Sequence, residues 1–113
     1  MMDAKFRMKH SNALAQCMLA CEECANRAVE ENMDCYGHCK ACAELCNVTM
    51  RLMSVNSMHA GETAAICAKA CDHCAEMCAK HKTDHCQTCA QSCREASGAC
   101  RDIQAAYEKM GKK

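Results

Sequence analysis

Fifteen cysteines in a chain of 113 residues fall into four groups, and within each group the steps are three, four or seven residues. They run Cys17, Cys21, Cys24; Cys35, Cys39, Cys42, Cys46; Cys67, Cys71, Cys74, Cys78; and Cys86, Cys89, Cys93, Cys100. An α-helix turns about 100° per residue, so steps of three and four return to one face. Each group therefore marks a helix that carries a single thiol stripe. Those stripes stand where an ordinary bundle has its Leu and Ile seam.

The rest of the chain agrees. Proline is absent, glycine occurs four times, and strong helix formers dominate while β-branched and aromatic residues are scarce. Polar clusters at Glu30 to Asp34, Ser54 to Ser57 and Lys80 to Asp84 supply the breaks. Helices are expected at about 4–31, 34–54, 58–80 and 84–109, with Asn32 or Asp34, Ser57 and Thr83 as N-caps. Short connections between long helices favour antiparallel neighbours. The expected fold is all-α, an antiparallel up-down four-helix bundle with a thiol-lined core, residues 1–113 forming a single domain. Gly37 and Gly98 fall inside helices, on the side away from the stripe.

The two halves repeat. A shift of 50 residues carries Cys17, Cys21 and Cys24 onto Cys67, Cys71 and Cys74. A shift of 47 carries Cys39, Cys42 and Cys46 onto Cys86, Cys89 and Cys93, and Met53 onto Cys100. The pattern reads as two duplicated helical hairpins.

Leu, Ile, Val and Phe together number only 10 residues. A fraction that low accompanies disorder in highly charged chains, but here the net charge is zero. Cysteine is the obvious core filler. Balanced charge, with 14 basic and 14 acidic residues and only Phe6, Tyr36 and Tyr107 as aromatics, leaves no footprint for nucleic acid. No apolar run reaches the roughly 18 residues of a membrane span. The polar opening from Met1 to His10 has no secretory pattern, so a leader is absent or already removed.

Fifteen thiols on helix faces are poorly explained as small hydrophobes, which Ala or Leu would replace without oxidation risk. An odd count without a leader argues against a disulfide framework, although CxxxC pairs do staple some secreted helical hairpins. Soft thiolates select Cu(I), zinc or iron–sulfur clusters. Iron–sulfur ligation favours tight CxxCxxCxxxCP runs, which this sequence lacks. Zinc fits Cys21, Cys24, Cys39 and Cys42 as one four-cysteine set, and Cys71, Cys74, Cys86 and Cys89 as a second. That assignment leaves seven of the 15 thiols with no task.

Charge separates the candidates further. A zinc tetrathiolate carries two negative charges, and several stacked in one core would be costly to bury. Cu(I) and thiolate neutralise each other one for one, so a thiol tube can fill while staying neutral, to about one Cu(I) per thiol. A CxxxC pair suits a bridging Cu(I), with a third sulfur reached across the bundle. A zinc-stabilised interaction module and a disulfide-stapled helical protein stay open as alternatives.

Secondary candidate ligands lie at the two ends. His38, His81 and His85 fall near the connections between helices one and two and between helices three and four, where they could receive a metal or simply be solvated. His10, Met50 and Met53 project inward at the opposite end, and Met53 reads as core packing or as a thioether ligand. His59 and His73 lie off the stripe and read as solvated; Met18, Met77 and Leu45 read as packing residues. No residue set supplies a nucleophile with an oriented base, so an enzyme is not expected.

The stretch Cys67-Ala-Lys-Ala-Cys-Asp-His-Cys-Ala-Glu-Met-Cys78, then Lys80-His81, then His85-Cys86-Gln-Thr-Cys-Ala-Gln-Ser-Cys93, resembles the cysteine-rich four-helix-bundle copper storage proteins. The likeness is close over helices three and four and looser over Cys17 to Cys46. The wide step from Cys93 to Cys100 departs from it. The resemblance implies many Cu(I) ions stored along the bundle interior, with uptake and release at one end and a copper chaperone or small chelator as exchange partner. It also implies that some such proteins are homo-oligomers, tetramers among them, and that exported and cytosolic forms both occur. Fifteen reduced thiols without an export signal favour the cytoplasm, with an exported form lacking its leader as the alternative.

Overall fold

A computed structural model describes residues 2–111. Helix α1 spans Ala4–Glu30 and begins at Asp3, whose carboxylate accepts the Phe6 backbone N–H at 2.8 Å. Helix α2 spans Tyr36–Ser54, α3 Ala60–Ala79 and α4 Asp84–Gly111. These four helices match the expected spans to within about two residues at each end.

The turns depart from expectation in an informative way. Asn32 does not start α2; it stops α1. Its φ of 54° is left-handed, and the next N–H, that of Met33, reaches back to the Ala28 carbonyl at 2.8 Å. Asn56 repeats the device after α2, with φ 52° and the Ser57 N–H on the Leu52 carbonyl at 2.9 Å. Both are the left-handed helix stop that Asn tolerates better than most residues. Cys35 and His59 hold the N-cap positions of α2 and α3, neither with a side-chain capping bond. Ser57 instead accepts the His59 N–H at 3.1 Å within the preceding turn. Asp34 is also not a cap, its carboxylate pairing with His81. Thr83 does cap α4, accepting the Cys86 N–H on its hydroxyl at 3.3 Å.

The helices form a square. α1 packs against α2 and α4, and α3 packs against α2 and α4, so consecutive helices are neighbours and the last closes on the first. The bundle measures 49 × 19 × 17 Å, about two helix diameters across. Every cysteine is fully buried. Buried alanines such as Ala25, Ala43, Ala68 and Ala90 flank the stripes and let the helices close around sulfur rather than around branched side chains.

The large side chains other than cysteine that are fully buried gather at the end opposite the Asn32 turn. Leu14, Thr49, Met53 and Ile103 are wholly buried there, with Tyr107 beside them. Gly61 lets the helices approach closely at this end: a Cβ would stand 3.0 Å from the Tyr107 Cβ, where the start of α3 lies on the end of α4. Midway along the same pair of helices, the Ser97 hydroxyl donates to Asp72 at 2.6 Å while Arg101 holds the other carboxylate oxygen. Among the described residues no helix is long and apolar enough to cross a membrane.

Two substitutions test this division of labour in the metal-free protein. Leu14→Ala should cost about 2–5 kcal/mol in denaturant unfolding, because it empties part of the aliphatic plug. Gly98→Ala should gain about 0.5–1 kcal/mol, since nothing lies within 4 Å of the added methyl. Equal and small effects from both would contradict the assignment.

Candidate metal centre

The shortest thiol contacts run across the bundle rather than along a helix. Cys42 and Cys71 sulfurs are 3.3 Å apart, on α2 and α3. Cys17 to Cys42, Cys21 to Cys89 and Cys39 to Cys74 are each 3.6 Å. Along single helices the CxxxC pairs Cys17/Cys21, Cys67/Cys71, Cys74/Cys78 and Cys89/Cys93 stand at 3.9 Å. Groups of four sulfurs lie within 4.8 Å of one another, including Cys17/Cys21/Cys42/Cys93, Cys21/Cys74/Cys89/Cys93 and Cys24/Cys35/Cys39/Cys78. The groups share members. Cys21 and Cys93 belong to two of those named, and Cys39 links the third to a further set with Cys74, Cys78 and Cys89. A site built for separate tetrahedral ions would keep its quartets distinct. Here the sulfurs form one web from the Cys24/Cys35/Cys86 end to the Cys46/Cys67 end, with Cys100 against Cys67.

Electrostatics follow from this crowding. Burial, then the charge of Cys89, pushes the Cys24 thiol above its ordinary value. Burial, then the charge of Cys86, does the same to Cys35. Deeper in, shared protons polarise the web: hydrogen bonds from Cys21 and then Cys42 draw Cys17 down, while the bond with Cys17 drives Cys21 far up. One thiolate is thus stabilised by its neighbours and makes theirs harder to form. Full deprotonation requires cations to enter with each proton that leaves.

One end of the web carries groups other than cysteine. His85, whose side chain is 9% exposed, places Nδ1 at 3.4 Å from the Cys24 sulfur and 3.6 Å from that of Cys86. Its Nε2 donates to the Glu31 carboxylate at 2.7 Å, which holds that carboxyl below the usual range. The Met33 sulfur lies 3.7 Å from Cys86. Met33 and Glu31 escaped the sequence reading because both sit at the α1–α2 turn, where helical periodicity places nothing.

The other secondary candidates fall elsewhere. His81 donates from Nε2 to the Asp34 carboxylate at 2.9 Å, with no thiol among its hydrogen-bond partners; the bond holds the Asp34 carboxyl down. His38 is half-buried and stands edge-on to His73, ring centres 6.4 Å apart. His10 is buried, with Nδ1 on the Phe6 carbonyl at 2.9 Å and Nε2 facing Asp102 at 3.4 Å. Met53 is buried at the plugged end, one heptad beyond Cys46. His59 pairs with Glu62 at the surface. Met18, Leu45, Met50 and Met77 are partly buried against the core.

Fold and site together define a helical bundle whose interior is a soft-metal ligand array. Residues 4–105 match the family model described as Csp, copper storage protein. The uncharacterized cysteine-rich protein YhjQ of Bacillus subtilis (strain 168) is 34% identical over 98 residues, spanning 82% of this chain and 91% of that protein. Among solved structures, apo copper storage protein 3 from Bacillus subtilis superposes with a TM-score of 0.80 at 33% identity, covering 84% of this chain and 95% of that one. The Cu(I)-bound copper storage protein BsCsp3 gives 0.82 at 31% identity, with 88% and 98% covered. The chain belongs to the copper storage protein family.

All fifteen cysteines are free thiols. Protein purified anaerobically and unfolded without reductant should therefore titrate close to fifteen thiols with an aromatic disulfide reagent. A disulfide-stapled chain would titrate few, and that result would contradict the structure.

Proposed function

We propose that this chain stores Cu(I) along its bundle axis, on the thiolates of Cys17, Cys21, Cys24, Cys35, Cys39, Cys42, Cys46, Cys67, Cys71, Cys74, Cys78, Cys86, Cys89, Cys93 and Cys100. The observation that carries the reading is the continuous sulfur web, which has shared rather than separate quartets. Each thiol that takes a Cu(I) loses a proton, so a thiol and its ion enter the neutral core as a neutral pair. Capacity on that basis is about one Cu(I) per thiol, about 15 for the chain. Storage, not turnover, is the role: a filled sulfur array leaves no open coordination position for a substrate.

Copper passes through the end formed by the α1–α2 and α3–α4 turns. Support comes from the contrast between the ends: His85, Met33 and Cys86 at one, and Leu14, Met53 and Ile103 filling the other. His85 and Met33 are the receiving ligands, and Met53 closes the array as a thioether beyond Cys46. His38 and His81 flank the receiving end. His10 ties α1 to α4 at the plugged end and is a ligand only if its bond to Phe6 is kept and Asp102 turns away. The two hairpins are copies of one thiol-bearing unit, and residues 1–113 act as one storage domain in the cytoplasm. A copper chaperone or small chelator exchanges copper with the mouth. Leu19, Val48 and Ile66 remain exposed and are faces on which copies of the chain would assemble, up to a tetramer.

Anaerobic titration with Cu(I) against a chromophoric Cu(I) chelator tests the reading. The expected result is an end point near 15 ions per chain, with about one proton released per ion into weak buffer. Because protons and Cu(I) compete for the same sulfurs, retention should weaken as pH falls. Saturation near two ions, with zinc bound in preference, would favour the two-site zinc module instead.

A further inference from the structure

We infer that Glu31 is a positioning residue for copper uptake, fixing the His85 ring so that an unprotonated nitrogen faces the mouth thiols. The inference rests on the proposed role of the His85 end as the place where Cu(I) is received.

The geometry leaves one arrangement for the neutral ring. Nε2 stands 2.7 Å from a Glu31 carboxylate oxygen, and an ionised carboxylate only accepts, so Nε2 carries the hydrogen. Nδ1 then keeps its lone pair, and that lone pair points between the sulfurs of Cys24 and Cys86, at 3.4 and 3.6 Å. A ring free to adopt the other tautomer would present an N–H to those sulfurs, and an arriving soft cation would meet a proton instead of a ligand. Carboxylate–imidazole pairs of this kind set which nitrogen binds metal at many sites.

Glu31 is itself held on two sides. It is the C-cap residue of α1, its N–H bonded to the Arg27 and Val29 carbonyls, just before left-handed Asn32. Arg27 donates to its second carboxylate oxygen at 3.2 Å. The carboxylate is thus anchored to the helix end rather than carried on a loose loop. His81 offers a control from the same structure: it has its own carboxylate partner in Asp34, but among the described residues its ring makes no hydrogen bond to sulfur.

Three variants separate this inference from the reading beneath it: Glu31→Ala, Glu31→Gln and His85→Ala. In ¹⁵N-labelled, metal-free, reduced protein, long-range ¹H–¹⁵N correlation reads the His85 tautomer directly. Wild type should show hydrogen on Nε2, E31A should lose that preference, and E31Q should keep it, because an amide oxygen accepts the same bond. Cu(I) transfer from a coloured Cu(I)–chelator complex should slow about 10-fold or more in E31A, with final capacity unchanged, and recover in E31Q. An E31A protein with the wild-type tautomer or the wild-type rate would overturn the inference, as would an E31Q protein as slow as E31A. If H85A also loads at the wild-type rate, the receiving role of this end fails; if H85A is slow while E31A is not, only the role of Glu31 fails. Circular dichroism of each variant should match wild type, since Glu31 lies at a helix end and outside the core.

Discussion

Fifteen polarizable, ionisable side chains share one narrow apolar interior, and the rest of the structure depends on how their charge is handled. As thiols they are small, weakly polar and compatible with close helix packing. As thiolates without counter-ions they would face the desolvation and mutual repulsion that already raise Cys24 and Cys35. A monovalent soft cation removes that conflict, because each ion cancels the charge of one sulfur. A divalent ion on four thiolates leaves a net negative site, and the shared membership of the sulfur quartets would place such sites against one another.

That requirement explains the unusual core. Aliphatic residues retreat to one end, where Leu14, Ile103 and Met53 close the bundle and Gly61 lets α3 approach Tyr107. Along the web, alanine beside the stripes brings the helices near enough for sulfur to touch sulfur across the axis, at 3.3 Å for Cys42 and Cys71. At the far end the two turns bring His85, Glu31 and Met33 to the last sulfurs. The two ends therefore differ, one filled by apolar side chains and the other carrying an imidazole and a thioether beside the sulfurs. Copper storage family membership and the likeness to a Cu(I)-bound structure accord with a thiol-lined core.

Helix number, span and the inward face of every cysteine could be read from spacing alone, since a stripe of steps of three and four has one geometric meaning. The turns were harder. Asn32 looks like a helix start by composition, yet it terminates α1 in a left-handed conformation; the same residue type serves both ends, and only the backbone decides. Register also placed His38, His81 and His85 near one end without telling them apart. The difference came from their partners: Asp34 takes His81, His73 stands beside His38, and only His85 reaches sulfur. Met33 was invisible to periodicity because it lies in a turn, and its position depends on how two turns pack across the bundle end.

The most direct test of a filled sulfur tube is crystallographic. Anomalous difference maps from Cu(I)-loaded protein, collected on both sides of the copper absorption edge, should show a file of peaks along the bundle axis. Those peaks should run from the Cys24, Cys35 and Cys86 sulfurs to those of Cys46, Cys67 and Cys100, each ion bound by sulfur from more than one helix. Two isolated four-cysteine sites, or peaks confined to the surface histidines, would contradict a continuous store.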